Sequence, residues 1–251
     1  MFKTIIAFIK FWIYLATKNG KLKTARRLDR EGKIAERDEI VTPLVSDWAR
    51  YVVGLSGAKI EVTGEENIPK DTAVVFIGNH QGYFDIPILL GHVQKRKAFI
   101  SKIEILKVPM LSGWMKLMQC TFLDRKDMRQ SLRAMQEAVV SVQKGYSLVI
   151  FPEGTRSRGG PVAEFKAGSF KLAIKAGVPI VPVSIDGSWH LLEEKGKFSA
   201  ATVKVTLHPA IPTANISKED IAALPGKVRD IVMSALPPPD PNAGKKKHKK
   251  R

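Results

Sequence analysis

Apolar positions along the chain follow two different spacings. Between residues 59 and 207, short runs rich in β-branched and aromatic residues alternate with stretches whose apolar residues return every three or four positions. The runs predict strands at Lys59–Val62, Ala73–Ile77, Ala98–Ile100, Cys120–Leu123, Ser147–Phe151, Ile180–Ile185 and Val203–Leu207. Helices are expected over Phe84–His92, Met110–Met118, Arg129–Lys144, Ala167–Ala176 and Lys218–Ala235. Ala73–Ile77, Leu148–Phe151 and Ile180–Val183 are almost continuously apolar, as strands covered on both faces must be. This alternation predicts an α/β fold with a largely parallel, helix-covered sheet.

The first 57 residues show helical spacing alone. In Met1–Ala16, Lys3, Lys10 and Thr17 recur every seven residues and form one stripe, with Tyr14, Lys18 and Lys21 beside it. Phe2, Ile5, Ile6, Ile9, Trp12, Ile13 and Ala16 cover the rest of the helix. About 17 helical residues reach roughly 26 Å, short of the ~30 Å hydrocarbon core of a bilayer. Lys10 interrupts the run, and Lys18 and Lys21 stand where a signal peptide would place small residues. A wide apolar face with a lysine stripe suits the membrane interface, and a helix packed on the domain core is the alternative. The charged segment Lys21–Glu39 is expected to be a solvated helix. Thr42-Pro43 reads as an N-cap with proline in the first turn of a helix carrying Leu44, Val45, Trp48, Val52 and Leu55, with Gly57 as its stop. The expected organisation is a membrane-docking module over 1–57, built on two apolar-faced helices, then an α/β domain over 58–236. Over 237–251, Pro237, Pro238, Pro239, Asp240 and Pro241 lead into a lysine-rich tail expected to be disordered.

Charge narrows the class of partner. The 251 residues are 44% hydrophobic and 26% charged, and carry a formal +17. Six basic residues lie in Lys245–Arg251; taking them from +17 leaves +11 on the rest, so the folded part is itself basic. Such an excess calls for an anionic partner: nucleic acid, phospholipid headgroups, or acidic cofactors and carrier proteins. The single cysteine, Cys120, can form neither a disulfide nor a cysteine zinc site within one chain, and its apolar setting predicts inert packing.

Three constellations carry candidate chemistry, each directly after an expected strand. Asn79-His80-Gln81-Gly82-Tyr83-Phe84-Asp85 places a carboxylate where it can hold one ring nitrogen of a histidine and make it a general base, although a structural cap has the same spacing. Phe151-Pro152-Glu153-Gly154-Thr155-Arg156-Ser157-Arg158 offers a glycine turn with an arginine able to grip phosphate, or simply a surface turn. It is not a Walker loop, because Gly159 is followed by Gly160 rather than lysine. Phe122-Leu123-Asp124-Arg125 supplies another arginine at a strand end. On a parallel sheet these ends converge on one edge, putting a base beside two phosphate grips.

Together these segments resemble the bacterial 1-acyl-glycerol-3-phosphate acyltransferases of the glycerolipid acyltransferase superfamily. Asn79-His80 through Asp85 matches that family's His-x4-Asp motif, and Phe151 through Ser157 matches its third motif throughout. Gln119-Cys120-Thr121-Phe122-Leu123-Asp124-Arg125 resembles the second motif, with Gln119 in place of the usual glycine, and Val181-Pro182-Val183 resembles the fourth. Lys102, Ile105, Ser112 and Arg125 follow a further pattern in which Leu and Gly usually stand at the second and third positions. The resemblance covers roughly residues 58 to 210 in order.

It implies a glycerol-3-phosphate acyltransferase-like fold, in which His80 is the base and Asp85 orients it. Lys102, Arg125 and Arg156 would hold an acceptor phosphate, with Glu153, Gly154 and Thr155 shaping the acceptor site. It further implies lysophosphatidic acid as acceptor, with an acyl-carrier protein or coenzyme A thioester as co-substrate and no other cofactor or metal. A monotopic or peripheral protein on the cytoplasmic face of the membrane, in contact with its phospholipids, is the expected setting. Glycerol-3-phosphate or another lysophospholipid is the nearer alternative acceptor. No Gly-x-Ser-x-Gly elbow, dinucleotide loop or metal-ligand cluster is found, and His92, His190 and His208 are expected to be structural or solvated. Nucleic-acid binding is not expected, since no aromatic-studded strand or recognition helix accompanies the charge.

Overall fold

A computed structural model describes residues 2–124 and 126–238 of the chain, without the side chains of Phe2 and Lys3. Arg125 and most of the expected tail therefore lie outside the described residues, as does the side chain of Lys3 in the lysine stripe. All seven expected strands form: β1 (Lys59–Thr63), β2 (Val75–Gly78), β3 (Lys97–Lys102), β4 (Thr121–Leu123), β5 (Ser147–Ile150), β6 (Ile180–Asp186) and β7 (Thr202–Leu207). They make one sheet in the order β1-β7-β6-β2-β5-β3-β4. β6, β2, β5, β3 and β4 run parallel, while β7 is antiparallel to β6 and β1 runs with β7. The three continuously apolar runs form the sheet centre: β2 and β5 are buried throughout, and β6 up to its last residue.

Three helices precede β1: α1 (Phe2–Thr17), α2 (Asn19–Arg30) and α3 (Ile34–Ser56). Five more follow: α4 (Asp85–His92), α5 (Pro109–Leu117), α6 (Met128–Gln143), α7 (Lys171–Ala176) and α8 (Lys218–Ser234). Two expectations are corrected here. Helix α3 does not begin at Thr42; it runs unbroken from Ile34, with Pro43 inside it. Proline costs a helix interior one hydrogen bond, and the buried stripe Val41, Val45, Ala49, Val52 offsets that loss by packing on both sides of it. Nor is the charged segment simply solvated. Leu22, Ala25 and Leu28 of α2 are buried, and the first two, with Leu15, Val41, Val45, Trp114 and Leu117, tie α1, α2, α3 and α5 into a small second core.

Arg37 of α3 is only 1% exposed. It donates to Asp29 at 2.5 Å, to Asp38 at 2.7 Å and to the Tyr146 hydroxyl, while Arg96 reaches Asp38 from the other side. Tyr146 precedes β5, so this charge-balanced cluster, buried at Arg37 and open at Asp29 and Arg96, bolts the helical module to the sheet. Among the described residues, no helix is long and apolar enough to cross a membrane. One side of α1 packs inward through Ala7 and Leu15, while Ile5, Phe8, Ile9, Trp12 and Ile13 are exposed on the other.

Candidate active site

The carboxyl ends of the adjacent parallel strands β6, β2 and β5 meet at one edge of the sheet, where the strand order turns about β2. His80 follows β2, Glu153 follows β5 and Ser188 follows β6. Asn79 fastens the first of these connections. Its buried amide donates to the Ile185 carbonyl and accepts from the Ile185 N–H, both at 2.8 Å, so β2 and β6 stay paired past the end of β2.

The His80 ring accompanies this fixed backbone. Its Nδ1 lies 2.6 Å from Asp85 Oδ2, and the ring stacks on Phe151 with centroids 4.2 Å apart and planes 9° apart. Asp85 is fully buried, yet its carboxylate has four donors. Oδ2 accepts from His80, from Gln81 N–H at 2.7 Å and from Gly82 N–H at 3.0 Å, and Oδ1 accepts from the Ser188 hydroxyl. Four donors compensate for removal from water, so a charged carboxylate can stay in place. By accepting the Nδ1 proton it leaves Nε2 as the basic nitrogen. The His80 side chain keeps 17% of its surface, so the base remains reachable.

Glu153 stands behind the base. Its buried carboxylate accepts from the His80 N–H at 2.7 Å through Oε1 and from the Ala163 N–H at 3.0 Å through Oε2. Burial pushes its carboxyl up, and those two backbone bonds pull it down. Both oxygens are thus engaged by main chain, and Glu153 braces the His80 backbone. Gly154 turns the chain at φ +71°, where a side chain would also meet the Lys166 ammonium. Past that turn, Ser157 N–H donates to the His80 carbonyl at 2.7 Å and Arg158 N–H to that of Gln81 at 3.1 Å. The arginine loop is therefore pinned against the histidine loop.

Arg156 projects from the pinned segment. Its guanidinium lies 3.6 Å from the centre of the Tyr83 ring and pairs with Glu193 at 3.2 Å. Thr155 is exposed beside it, and Lys102 is exposed at the end of β3, the strand next to β5. β4, which leads to Arg125, is separated from β5 by β3. The carboxyl ends of β2, β5 and β4 do fall on the same edge of the sheet, and β6, adjacent to β2, adds a fourth.

An apolar cavity of about 590 Å³ lies against the histidine loop. Tyr83, Phe84 and Ile86 wall it on the loop side, with Phe11 of α1, Trp48 of α3 and Trp114 of α5 opposite. Its volume falls within the range of about 300–1,000 Å³ usual for ligand pockets.

The family model described as Acyltransferase matches residues 59–186, from β1 to the end of β6 and thus through His80, Asp85, Glu153 and Arg156. The chain belongs to the acyltransferase family. It is 33% identical to the 1-acyl-sn-glycerol-3-phosphate acyltransferase of Borreliella burgdorferi over 183 residues, 72% of this chain and 73% of that one. It is 37% identical over 156 residues to 1-acyl-sn-glycerol-3-phosphate acyltransferase BAT2, chloroplastic, of Brassica napus, covering 61% of this chain and 45% of the longer relative. Among solved structures it resembles the 1-acyl-sn-glycerophosphate (LPA) acyltransferase PlsC of Thermotoga maritima, with a TM-score of 0.78 and 29% identity over 93% of this chain and 94% of that one.

In this acyltransferase, sequence reasoning missed Ser188, Gln81 and Glu193. Ser188 is fully buried, and besides its bond to Asp85 its N–H donates to the Gln81 side-chain oxygen at 3.1 Å. Ser188 and Glu193 lie more than a hundred residues from their partners in the histidine loop, so no local spacing could mark them. The one available signal was their place just past a buried strand. Of the other histidines, His208 places Nε2 2.8 Å from the Ser184 hydroxyl, and burial lowers the His92 pKa.

Proposed function

We propose that the chain moves a fatty acyl group from an acyl thioester to the sn-2 hydroxyl of a 1-acyl-glycerol-3-phosphate, giving phosphatidic acid. One observation carries the reading. A histidine oriented by a buried carboxylate shares its loop with Tyr83, which carries the Arg156 guanidinium on its ring and helps line an apolar cavity, a combination that suits a substrate with a hydroxyl, a phosphate and a hydrocarbon chain. The names of the relatives support the same acceptor.

In this mechanism His80 Nε2 takes the proton from the acceptor hydroxyl as its oxygen attacks the thioester carbonyl. Asp85 holds the ring and stabilises the imidazolium that forms. Collapse of the tetrahedral intermediate breaks the C–S bond, and the departing thiolate takes the proton back from Nε2. The substrate hydroxyl is the nucleophile, so no acyl-enzyme forms. Arg156, Lys102 and Arg125 grip the phosphate, while Glu153, Gly154 and Thr155 fix the shape of the acceptor site. The cavity receives an acyl chain. The donor is a thioester of coenzyme A or of an acyl-carrier protein, both acidic and suited to a basic surface. No further cofactor or metal enters the scheme.

Docking follows from α1, whose exposed Ile5, Phe8, Ile9, Trp12 and Ile13 suit shallow insertion among the phospholipids of the cytoplasmic leaflet. The basic surface adds about 1 kcal/mol per near-surface Lys or Arg on anionic lipid. The protein is thereby monotopic or peripheral.

The test is to incubate the purified chain with lysophosphatidic acid and a labelled long-chain acyl thioester, beside His80→Ala, and follow phosphatidic acid. Wild type makes product and the variant loses about a hundredfold or more. Product from neither thioester donor would mean that the acceptor is wrong. Equal turnover by the two proteins would make His80 a structural residue.

A further inference from the structure

Glu193 belongs to none of the motifs, yet its side chain bonds to both halves of the site. Its carboxylate is only 5% exposed. Oε1 accepts from the Tyr83 N–H at 2.7 Å, within the histidine loop, and from Arg156 Nη1 at 3.2 Å, within the arginine loop. Oε2 is buried without a hydrogen-bond partner among the described residues, and burial pushes the carboxyl up. A half-satisfied buried carboxylate is expensive, and a fold keeps one where it serves a purpose. The histidine loop makes room for it: a Cβ on Gly82 would stand 2.6 Å from Oε2.

We infer that Glu193 is a positioning residue for the acceptor phosphate: it fixes the Arg156 guanidinium at a set place relative to His80. This assignment rests on the proposed function, in which Arg156 grips that phosphate. The physical need is a matter of span. The hydroxyl and phosphate of a 1-acyl-glycerol-3-phosphate sit on neighbouring carbons, so the base and the arginine must be held a fixed distance apart. The bonds from Ser157 and Arg158 to the histidine loop hold the backbone but leave the long arginine side chain its rotamers. Glu193 and the Tyr83 ring hold the guanidinium itself, one by charge and one by its face. The Arg156 side chain keeps 22% of its surface, and the bond to Glu193 uses Nη1 alone, so most of its five N–H donors are left for an incoming anion. An arginine fixed before the substrate arrives loses less freedom on binding it.

The test compares initial rates of the full-length wild type, Glu193→Ala and Glu193→Gln while lysophosphatidic acid and the acyl thioester are varied in turn. In Glu193→Ala, KM for lysophosphatidic acid rises about tenfold while kcat and KM for the thioester stay within about threefold. Glutamine keeps an oxygen in the same place and restores that KM to within about threefold of wild type. Should the alanine variant fail to fold, Glu193→Asp replaces it. One methylene shorter, it cannot serve Tyr83 and Arg156 together, and KM for the acceptor rises at least about threefold. An unchanged acceptor KM overturns the assignment. So does a loss shared by both substrates together with a lowered Tm, which is the mark of a mere loop fastener. A wild type that makes no phosphatidic acid overturns the proposed function and this assignment with it, whereas a working wild type beside an unaffected variant overturns the assignment alone.

Discussion

The histidine loop and the cavity beside it share a wall but are held by opposite means. Between Asn79 and Asp85, the Asn79 amide, the His80 ring and the Asp85 carboxylate are each fixed by directional bonds, four of them on Asp85. The cavity is walled by apolar side chains from distant parts of the chain, joined by ring contacts such as Phe11 on Trp48 at 5.6 Å and Phe84 on Phe198 at 5.2 Å. Directional bonds fix atoms to a fraction of an ångström, as proton transfer demands. Dispersion contacts fix a volume and leave its occupant free to slide, as a hydrocarbon chain requires. Helix α4 serves both regions, with Asp85 at its first residue and Ile86, Pro87 and Leu90 on the cavity wall.

If the loop works through direction, the largest effect should follow a change that keeps shape and removes a charge. Asp85→Asn is such a change. The Gln81 and Gly82 N–H groups hold the amide oxygen in the Oδ2 place and turn its NH₂ toward Ser188, so the ring keeps its bond at Nδ1 and loses the negative charge that stabilises the imidazolium. We expect kcat to fall by about 10² to 10⁴ with an unaltered circular-dichroism spectrum. A loss below about tenfold would mean that the loop merely places His80 and that its charge state is set elsewhere.

If the cavity works through volume, filling it should alter selectivity rather than chemistry. Cys120 lines the cavity and is chemically quiet, its thiol pushed up to about 12 by burial. Cys120→Phe should lower kcat/KM for the longest acyl thioesters about tenfold or more, since each methylene kept out of the cavity forfeits about 0.8 kcal/mol of burial. Shorter thioesters should keep their rates. A uniform fall across chain lengths would instead show that the added ring disturbs β4 and its neighbours.

The same contrast explains what the sequence revealed. His80 and Asp85 lie five residues apart, so their bond left a trace in local spacing, and the buried strands announced themselves as unbroken apolar runs. Ser188, Glu193 and the cavity depend on contacts across the whole chain, down to Phe198 N–H donating to the Thr4 hydroxyl. No window of sequence contains both members of such a pair. Pro43 shows the reverse error: the local signal for a helix start was present, and packing on both sides of it prevailed. Arg37 was hidden in the same way, because a charged residue in a charged segment looks solvated until Tyr146 and Arg96 are brought to it.

The shared helix gives a smaller effect. Lys97 on β3 is buried and donates to the carbonyls of Leu89 at 2.9 Å and Val93 at 2.7 Å, closing the carboxyl end of α4. Burial lowers its pKa to about 7, well below its ordinary value. Between about 7 and 10, the unfolded chain holds a proton on this lysine that the folded chain has released. Stability should therefore rise with pH across that window by about 1.4 kcal/mol per unit from this group, and stop changing below it. Lys97→Met should remove that slope in denaturant titrations run at successive pH values. A slope left intact would assign the effect to other groups and leave Lys97 as a charged cap.

The smallest effect lies where the chain departs from its family. Gln119 stands in place of the usual glycine just before β4 and holds φ at +64°, in the left-handed region. A residue with a Cβ is strained there by about 1–2 kcal/mol, and glycine regains part of that at the cost of a looser unfolded chain. The Gln119 side chain offers little in return, reaching only the Lys116 carbonyl at 3.5 Å. Gln119→Gly should therefore stabilise the protein by about 1 kcal/mol or less, measurable as a rise in Tm, without altering kcat or chain-length preference. A glycine that raised Tm and also changed chain-length preference would show that this turn helps set the cavity volume through the neighbouring Cys120, and would extend the loosely held region to the edge of the sheet.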